Sequence, residues 1–190
     1  MAAFFFALLA LTALAGAVGV TVLLVAARWA PDGRAAATMA DLAPAALPLA
    51  AVVAGTAMLG SLFFSEVLGY APCTLCWYQR IAMYPLAPLL GIAAVRRDLS
   101  VRLYAWVLAG SGLVISLYHY VIQWVPDLEA TGCAVDNPCT GVFVREFGFV
   151  SIPFMALCGF LAVIALLSAA TTATTGTSAD DRETTGTVVG

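Results

Sequence analysis

Long apolar runs alternate with short polar segments along this chain. A helix needs about 20 apolar residues to cross about 30 Å of hydrocarbon. The third run is short and spans only if it begins near Leu75 and takes Arg80 inside. The pattern predicts an all-α integral membrane protein with five transmembrane helices, built on the runs Phe4–Ala27, Leu42–Ser65, Ile81–Val95, Leu103–Trp124 and Phe147–Ala169.

The composition supports this interpretation. Of the 190 residues, 63% are hydrophobic and 10% are charged, and the mean hydropathy is +1.00. A soluble domain carries about 25% charged residues, so this chain has too few polar side chains to cover a surface in water. Its net charge of −3 also excludes the basic footprint of a nucleic-acid-binding protein.

The arginines predict the orientation of the helices and the division of the chain. Cytoplasmic loops of membrane proteins are enriched in basic residues, which puts the N-terminus and two loops, 70–77 and 125–146, outside the cell membrane. The predicted parts are a first helix (1–27), a cytoplasmic linker (28–45), a core (46–169) with helices at about 46–69, 75–95, 103–124 and 147–169, and a disordered cytoplasmic tail (170–190).

The first helix could instead be a cleaved signal peptide. Such a peptide has a basic segment followed by an apolar run of about 7–15 residues. No basic residue precedes Arg28, and the apolar run is much longer. We therefore expect the helix to be retained.

Four of the five cysteines lie in the predicted outer segments, namely Cys73, Cys76, Cys133 and Cys139. Thiols outside the cytoplasm tend to oxidise, so two disulfides are expected. Four cysteines allow three pairings, and the sequence leaves the choice open. Cys158, in the middle of the last helix, is expected to be a small core residue.

Cys73 and Cys76 form a Cys-x-x-Cys pair, the usual spacing of redox-active thiols. The pair directly precedes the third helix. The positive end of the helix dipole, together with Arg80, is expected to favour a thiolate on Cys76. The same spacing also occurs in zinc sites and in inert disulfides.

Cys133 and Cys139 are separated by five residues in a loop rich in turn formers. A zinc site made of all four cysteines is conceivable, but this spacing is longer than the usual two to four residues and no histidine lies in the loop. Thiol–disulfide exchange needs access and mobility, which a loop offers. We therefore favour redox chemistry and predict no metal site.

Two further side chains are candidates for function. Arg80 lies within or at the edge of a span, where a charge is costly and marks a functional site by default. It could instead extend to the membrane interface. His119 lies near the outer end of the fourth helix, as a hydrogen-bonded interface residue or as a proton carrier.

The cysteine motifs resemble those of the disulfide-formation membrane proteins DsbB and BdbC, and the BdbC branch is nearer because its second pair is also closely spaced. The resemblance covers roughly Leu47 to Leu167, the four-helix core. The extra N-terminal helix is a departure from the usual four-span members. The matching segments are PCTLCWYQR at 72–80, Cys133 to Thr140, and FGFVSIP at 147–153.

This resemblance implies a quinone-dependent thiol oxidase. A thioredoxin-like partner of the DsbA or BdbD type would form a mixed disulfide with Cys133, and Cys139 would resolve it. Electrons would pass to Cys73 and Cys76, and then from Cys76 to a ubiquinone or menaquinone. Arg80 would polarise a quinone oxygen, and His119 would lie at the edge of the quinone pocket.

Two other interpretations remain open from the sequence. A vitamin-K-epoxide-reductase-like protein also couples outer thiols to a quinone, but its Cys-x-x-Cys is expected near the last helices. A membrane subunit with purely structural outer disulfides is the alternative without enzymatic activity. Structural bridges resist mild reductants, whereas catalytic ones do not.

Overall fold

The computed structural model describes residues 1–130 and 132–186, with side chains described as far as residue 171. This part of the chain is helical, and its one β-bridge joins Glu146 to Val150. The five long helices are α1 (Ala2–Trp29), α2 (Arg34–Leu62), α3 (Thr74–Arg96), α4 (Arg102–Trp124) and α5 (Ile152–Gly186). A π-helix (Phe63–Val67) extends α2, and a 3₁₀-helix (Pro126–Leu128) follows α4.

Four segments of the described chain are long and apolar enough to cross a membrane: α1, Arg34–Val67, α4 and Ile152–Thr171. The helix α3 has 23 residues, which span about 35 Å at 1.5 Å per residue. It is less apolar because it carries Gln79 and Arg80, both of which are buried. A helical membrane bundle, as predicted, is what the structure shows.

The helices pack around a core to which α5 contributes most. The helix α5 contacts α1, α2 and α4, while α3 lies against α2 and α4. Phe160 of α5 is fully buried, and its ring reaches Gly112 of α4 so closely that a β-carbon there would lie 2.1 Å from it. Glycine at position 112 therefore permits the close approach of these two helices.

Most of the segment 28–45, predicted to be a linker between helices, is helical, so the second helix begins earlier than predicted. The helix α1 continues to Trp29 and α2 begins at Arg34. The alanine-rich start of α2 has high helix propensity and buries Met39 and Ala43 against the bundle. Burial of these side chains explains why α2 begins before the uncharged run Leu42–Ser65 on which it was predicted.

The last helix also differs from its prediction at both ends. It begins at Ile152, not at 147, because Phe147 and Gly148 have positive φ angles of 52° and 80° and form a turn. Its backbone continues to Gly186, where composition predicted a disordered tail from residue 170. Helix propagation adds one hydrogen bond per residue once a helix has formed. Residues 187–190 lie outside the described residues.

The chain reverses direction at each connection, so both cysteine motifs lie at one end of the bundle, here called the cysteine end. The first motif begins α3, and the second lies in the segment between α4 and α5. The π-helix ends α2 at this same end. Single π-turns inserted in α-helices are frequent at functional sites.

Candidate thiol redox site

Cys73 is the N-cap residue of α3. Its sulfur accepts a hydrogen bond from the backbone N–H of Cys76, with a sulfur–nitrogen distance of 3.3 Å. The two sulfurs lie 2.7 Å apart, and both cysteines are free thiols in this structure. At this position the Cys73 sulfur accepts a hydrogen bond from a backbone N–H that has no partner within the helix.

The environment of Cys73, just before α3, favours its thiolate. The hydrogen bond from the Cys76 thiol holds the pKa of Cys73 well below its usual range, and the hydrogen bond and charge of His119 lower it further, whereas burial opposes this effect. The sequence argument placed the thiolate on Cys76. The capping geometry gives that role in the reduced pair to Cys73, because an N-cap side chain faces the backbone N–H groups of the first turn.

The second pair forms a disulfide between Cys133 and Cys139, with 5.8 Å between the two Cα atoms. Cys139 is completely buried and Cys133 is half-buried. This is one of the three pairings that the sequence left open. The disulfide therefore presents one covered sulfur and one more accessible sulfur.

The two motifs meet inside the cysteine end. Cys73 and Cys139 belong to one buried cluster with Leu75 and Ile122. The side-chain amide of Asn137 donates to the carbonyl of Pro72 at 3.1 Å. The loop of the second pair is therefore docked against the residue next to Cys73.

His119 lies between the two motifs. Its Nε2 is 3.0 Å from the carbonyl oxygen of Cys139 and 3.7 Å from the sulfur of Cys73. A carbonyl only accepts, so Nε2 carries the proton, and this N–H also faces the Cys73 sulfur. Its side chain is 2% exposed, and Nδ1 has no hydrogen-bond partner.

A cavity of about 410 Å³ lies beside the first motif, among α1, α2, α3 and α5. Cys76 lines it, and Cys76 also lines a separate small space of about 20 Å³ together with Cys73, His119, Gln123 and Pro138. His119, predicted at the edge of the quinone pocket, is not among the residues that line the large cavity. The Cys-x-x-Cys pair thus lies next to both the large cavity and the second motif.

Arg80 supplies the positive charge of the cavity wall. Its Nε donates to the hydroxyl of Ser61 at 3.1 Å, and its Nη2 donates to the carbonyl of Ser61 at 3.0 Å. The guanidinium also lies over the rings of Trp77 and Tyr84. It is 9% exposed. A cation buried beside rings and neutral oxygens attracts a partly negative ligand atom.

The sequence analysis gave no role to four residues that hold the site together, namely Ser61, Tyr84, Gln79 and Ser116. Ser61 anchors Arg80, and the hydroxyl of Tyr84 donates to Ser61 at 3.2 Å. Gln79, which lines the cavity, donates to Ser116 at 3.0 Å. The signal in the sequence that could have identified these residues is that they are isolated polar residues within apolar runs. Asn137 was noted only as a turn former, although its amide joins the two loops.

The sequence analysis weighed a zinc site made of the four cysteines, whereas the structure groups Cys73 and Cys76 with His119. The ligand atoms of Cys73, Cys76 and His119 all lie within 4.8 Å of one another. Zinc takes cysteine and histidine ligands, usually four in a structural site. Cys133 and Cys139 are joined in a disulfide, so they do not supply ligands in this state.

The fold and site define a class: a helical membrane protein with two cysteine pairs close together at one end of the bundle. The comparisons agree, because the model of the family "Disulfide bond formation protein DsbB" matches residues 43–171. The chain therefore belongs to the DsbB family and acts in disulfide bond formation. Its multi-pass membrane character follows from the same match and from the apolar helices.

Individual relatives carry the same description. The chain is 53% identical over 108 residues to the probable disulfide formation protein C 1 of Bacillus anthracis, covering 56% of this chain and 78% of that protein. It is 48% identical over 114 residues to the disulfide bond formation protein C of Bacillus subtilis, covering 60% and 83%. No solved structure gives a significant match.

Proposed function

We propose that the protein is a quinone-dependent thiol oxidase that reoxidises a thioredoxin-like protein outside the cytoplasm. The observation that carries this proposal is the position of the first cysteine pair. Cys76 lines the large cavity beside Arg80, and it also packs against the buried cluster that contains Cys73 and Cys139. One dithiol is therefore in contact with both an electron donor and an acceptor site.

The residues of the cavity fit a quinone. A ligand pocket is mostly apolar with a few placed polar groups, and here these groups are Arg80, Gln79, Ser61 and Tyr84. A bound quinone would supply the oxidant, taking up two electrons and two protons. Arg80 would hold a carbonyl oxygen of its ring, and Cys76 would be the sulfur nearest to it.

The transfer between the two pairs is a balanced dithiol–disulfide exchange. The thiolate of a partner dithiol attacks the Cys133 sulfur, the Cys133–Cys139 bond breaks, and the partner leaves as a disulfide. The two thiols formed then reduce an oxidised Cys73–Cys76 pair by the same chemistry. Each step moves two electrons and leaves no sulfur radical.

His119 would stabilise the Cys73 thiolate at the meeting point of the pairs. Its Nε2 proton faces the Cys73 sulfur. A hydrogen bond donated to the charged form of a group favours that form, and the thiolate is the form that attacks a disulfide. We assign to His119 a role in exchange between the pairs, not in holding the quinone.

The orientation of the bundle belongs to this proposal. We place the cysteine end outside the cytoplasm and the helix α5 tail inside, since the arginines follow that pattern. Disulfides persist in oxidising compartments, which agrees with Cys133–Cys139 on that side. Alkylation of single-cysteine variants in intact cells by a membrane-impermeant maleimide checks it, and labelling of Cys133 only after lysis would reverse the assignment.

The deciding experiment is quinone reduction in detergent, with a reduced thioredoxin-like dithiol protein as the donor. We expect turnover in the unmodified protein and none in Cys76→Ser. Cys158→Ser is the matched control, because this cysteine is buried in α5 away from both pairs, and it should keep its turnover. Failure of ubiquinone and menaquinone alike to accept electrons, with the Cys133–Cys139 disulfide intact, would favour structural disulfides.

A further inference from the structure

The helix α1 lies outside the residues that match the family, 43–171, yet it forms one wall of the large cavity. Four of its lining residues follow a spacing of three and four positions, which places them on one helical face. Much of the rest of α1 is exposed at the surface of the bundle. These four residues are Phe6, Leu9, Ala10 and Ala13.

Phe6 of α1 packs its ring against two rings of the π-helix at the end of α2. Its ring centroid lies 5.2 Å from that of Phe64 and 5.8 Å from that of Phe63. A β-carbon at Gly60 would lie 2.8 Å from the Phe6 ring. The glycine in α2 therefore leaves the space that the ring occupies.

Phe6 also begins a row of aromatic rings that continues to the second cysteine loop. Phe64 stacks on Tyr70 at 6.0 Å between centroids, and Tyr70 stacks on Phe143 at 5.2 Å. All four rings line the cavity. Near the same end, Phe4 contacts Phe147 with centroids 5.4 Å apart. The α1 wall is thus joined to the turn that precedes α5.

We propose that α1 completes the quinone cavity and that Phe6 and Leu9 determine which quinones bind and how tightly. The inference rests on the proposed function. Without these side chains, the α1 side of the cavity would lie open, and a flat apolar ring would lose contacts on one face. Dispersion contacts are weak individually but add up over a ring, so the loss should be visible in affinity.

The test is direct binding, which is independent of turnover. Quenching of tryptophan fluorescence in the full-length protein is titrated with ubiquinone-1 and, separately, with menaquinone-4. We expect Phe6→Ala and Leu9→Ala to raise Kd about tenfold and threefold, and to change the ratio of the two Kd values. Leu8→Ala is the matched control, since Leu8 is 42% exposed on the same helix and does not line the cavity.

The Kd values either support or overturn the role proposed for α1. Equal Kd values for Leu9→Ala, Leu8→Ala and the unmodified protein would overturn the role of α1 while leaving the proposed function in place. No quinone binding by the unmodified protein would overturn both. The thermal unfolding midpoint of each variant is measured in parallel, and Leu9→Ala supplies the result if Phe6→Ala does not fold.

Discussion

Asn137 donates its side-chain amide to the carbonyl of Pro72 at 3.1 Å, and this bond joins the second cysteine loop to the first. The same amide lies 3.4 Å from the carbonyl of Ala71. Each motif is local in sequence, but exchange between the motifs requires that they meet. The Asn137 contact is a specific tie between them.

Asn137→Ala should slow exchange between the two pairs. A hydrogen bond contributes about 1 kcal/mol, so we expect about a fivefold lower rate of quinone reduction. The first reduction of Cys133–Cys139 by the donor should be unchanged, which rapid acid quenching and alkylation would show. Asp136→Ala, at the exposed neighbouring position, is the control. Equal slowing in both variants would indicate a general effect of the loop.

Cys73 should react as a thiolate at pH values below the usual pKa of a cysteine thiol. Its lowered pKa means that the thiolate persists as the pH falls and is lost only when the pH falls through that lowered value. Iodoacetamide alkylation of the reduced protein, followed by mass spectrometry, should give a midpoint below about 8.5. Cys76→Ala should raise this midpoint, because it removes the hydrogen bond that lowers the pKa most. An unchanged midpoint would contradict the assigned cause.

His119 variants should move the same midpoint to a smaller extent. His119→Ala removes both the hydrogen bond and the charge that favour the Cys73 thiolate, so the midpoint should rise. His119→Gln retains a hydrogen-bond donor without the charge, so its alkylation midpoint should lie between those of the unmodified protein and His119→Ala. Quinone affinity should not change, because His119 does not line the large cavity. Weaker quinone binding by His119→Gln would contradict this prediction and would indicate that His119 contacts the quinone.

Arg80→Lys should weaken quinone binding about tenfold. The guanidinium reaches Ser61 through two nitrogens, and a lysine ammonium lacks this forked geometry. Ser61→Ala should have a smaller effect because the backbone carbonyl still accepts from Arg80. Arg96→Lys, at the exposed opposite end of α3, is the control for fluorescence titration. Equal affinity in Arg80→Lys would rule out a directional contact.

The sequence by itself determined the helical membrane character, the two cysteine motifs and the family. These features depend on local pattern: apolar runs long enough for a membrane, and Cys-x-x-Cys next to a helix start. The predicted helix α4 agrees with the structure within one residue. Helix ends were less certain where turns or side-chain burial set them, as at Ile152 and Arg34.

Only the tertiary structure decided which way each functional group faces. Cys73 and Cys76 are three residues apart and both pack near the second loop, but only Cys76 of the two also lines the large cavity. His119 lies 46 positions from Cys73 along the chain and contacts its sulfur. In an almost uniformly apolar helix, hydrophobic periodicity does not distinguish a lipid-facing side from a packed side. The packing of five helices makes that distinction.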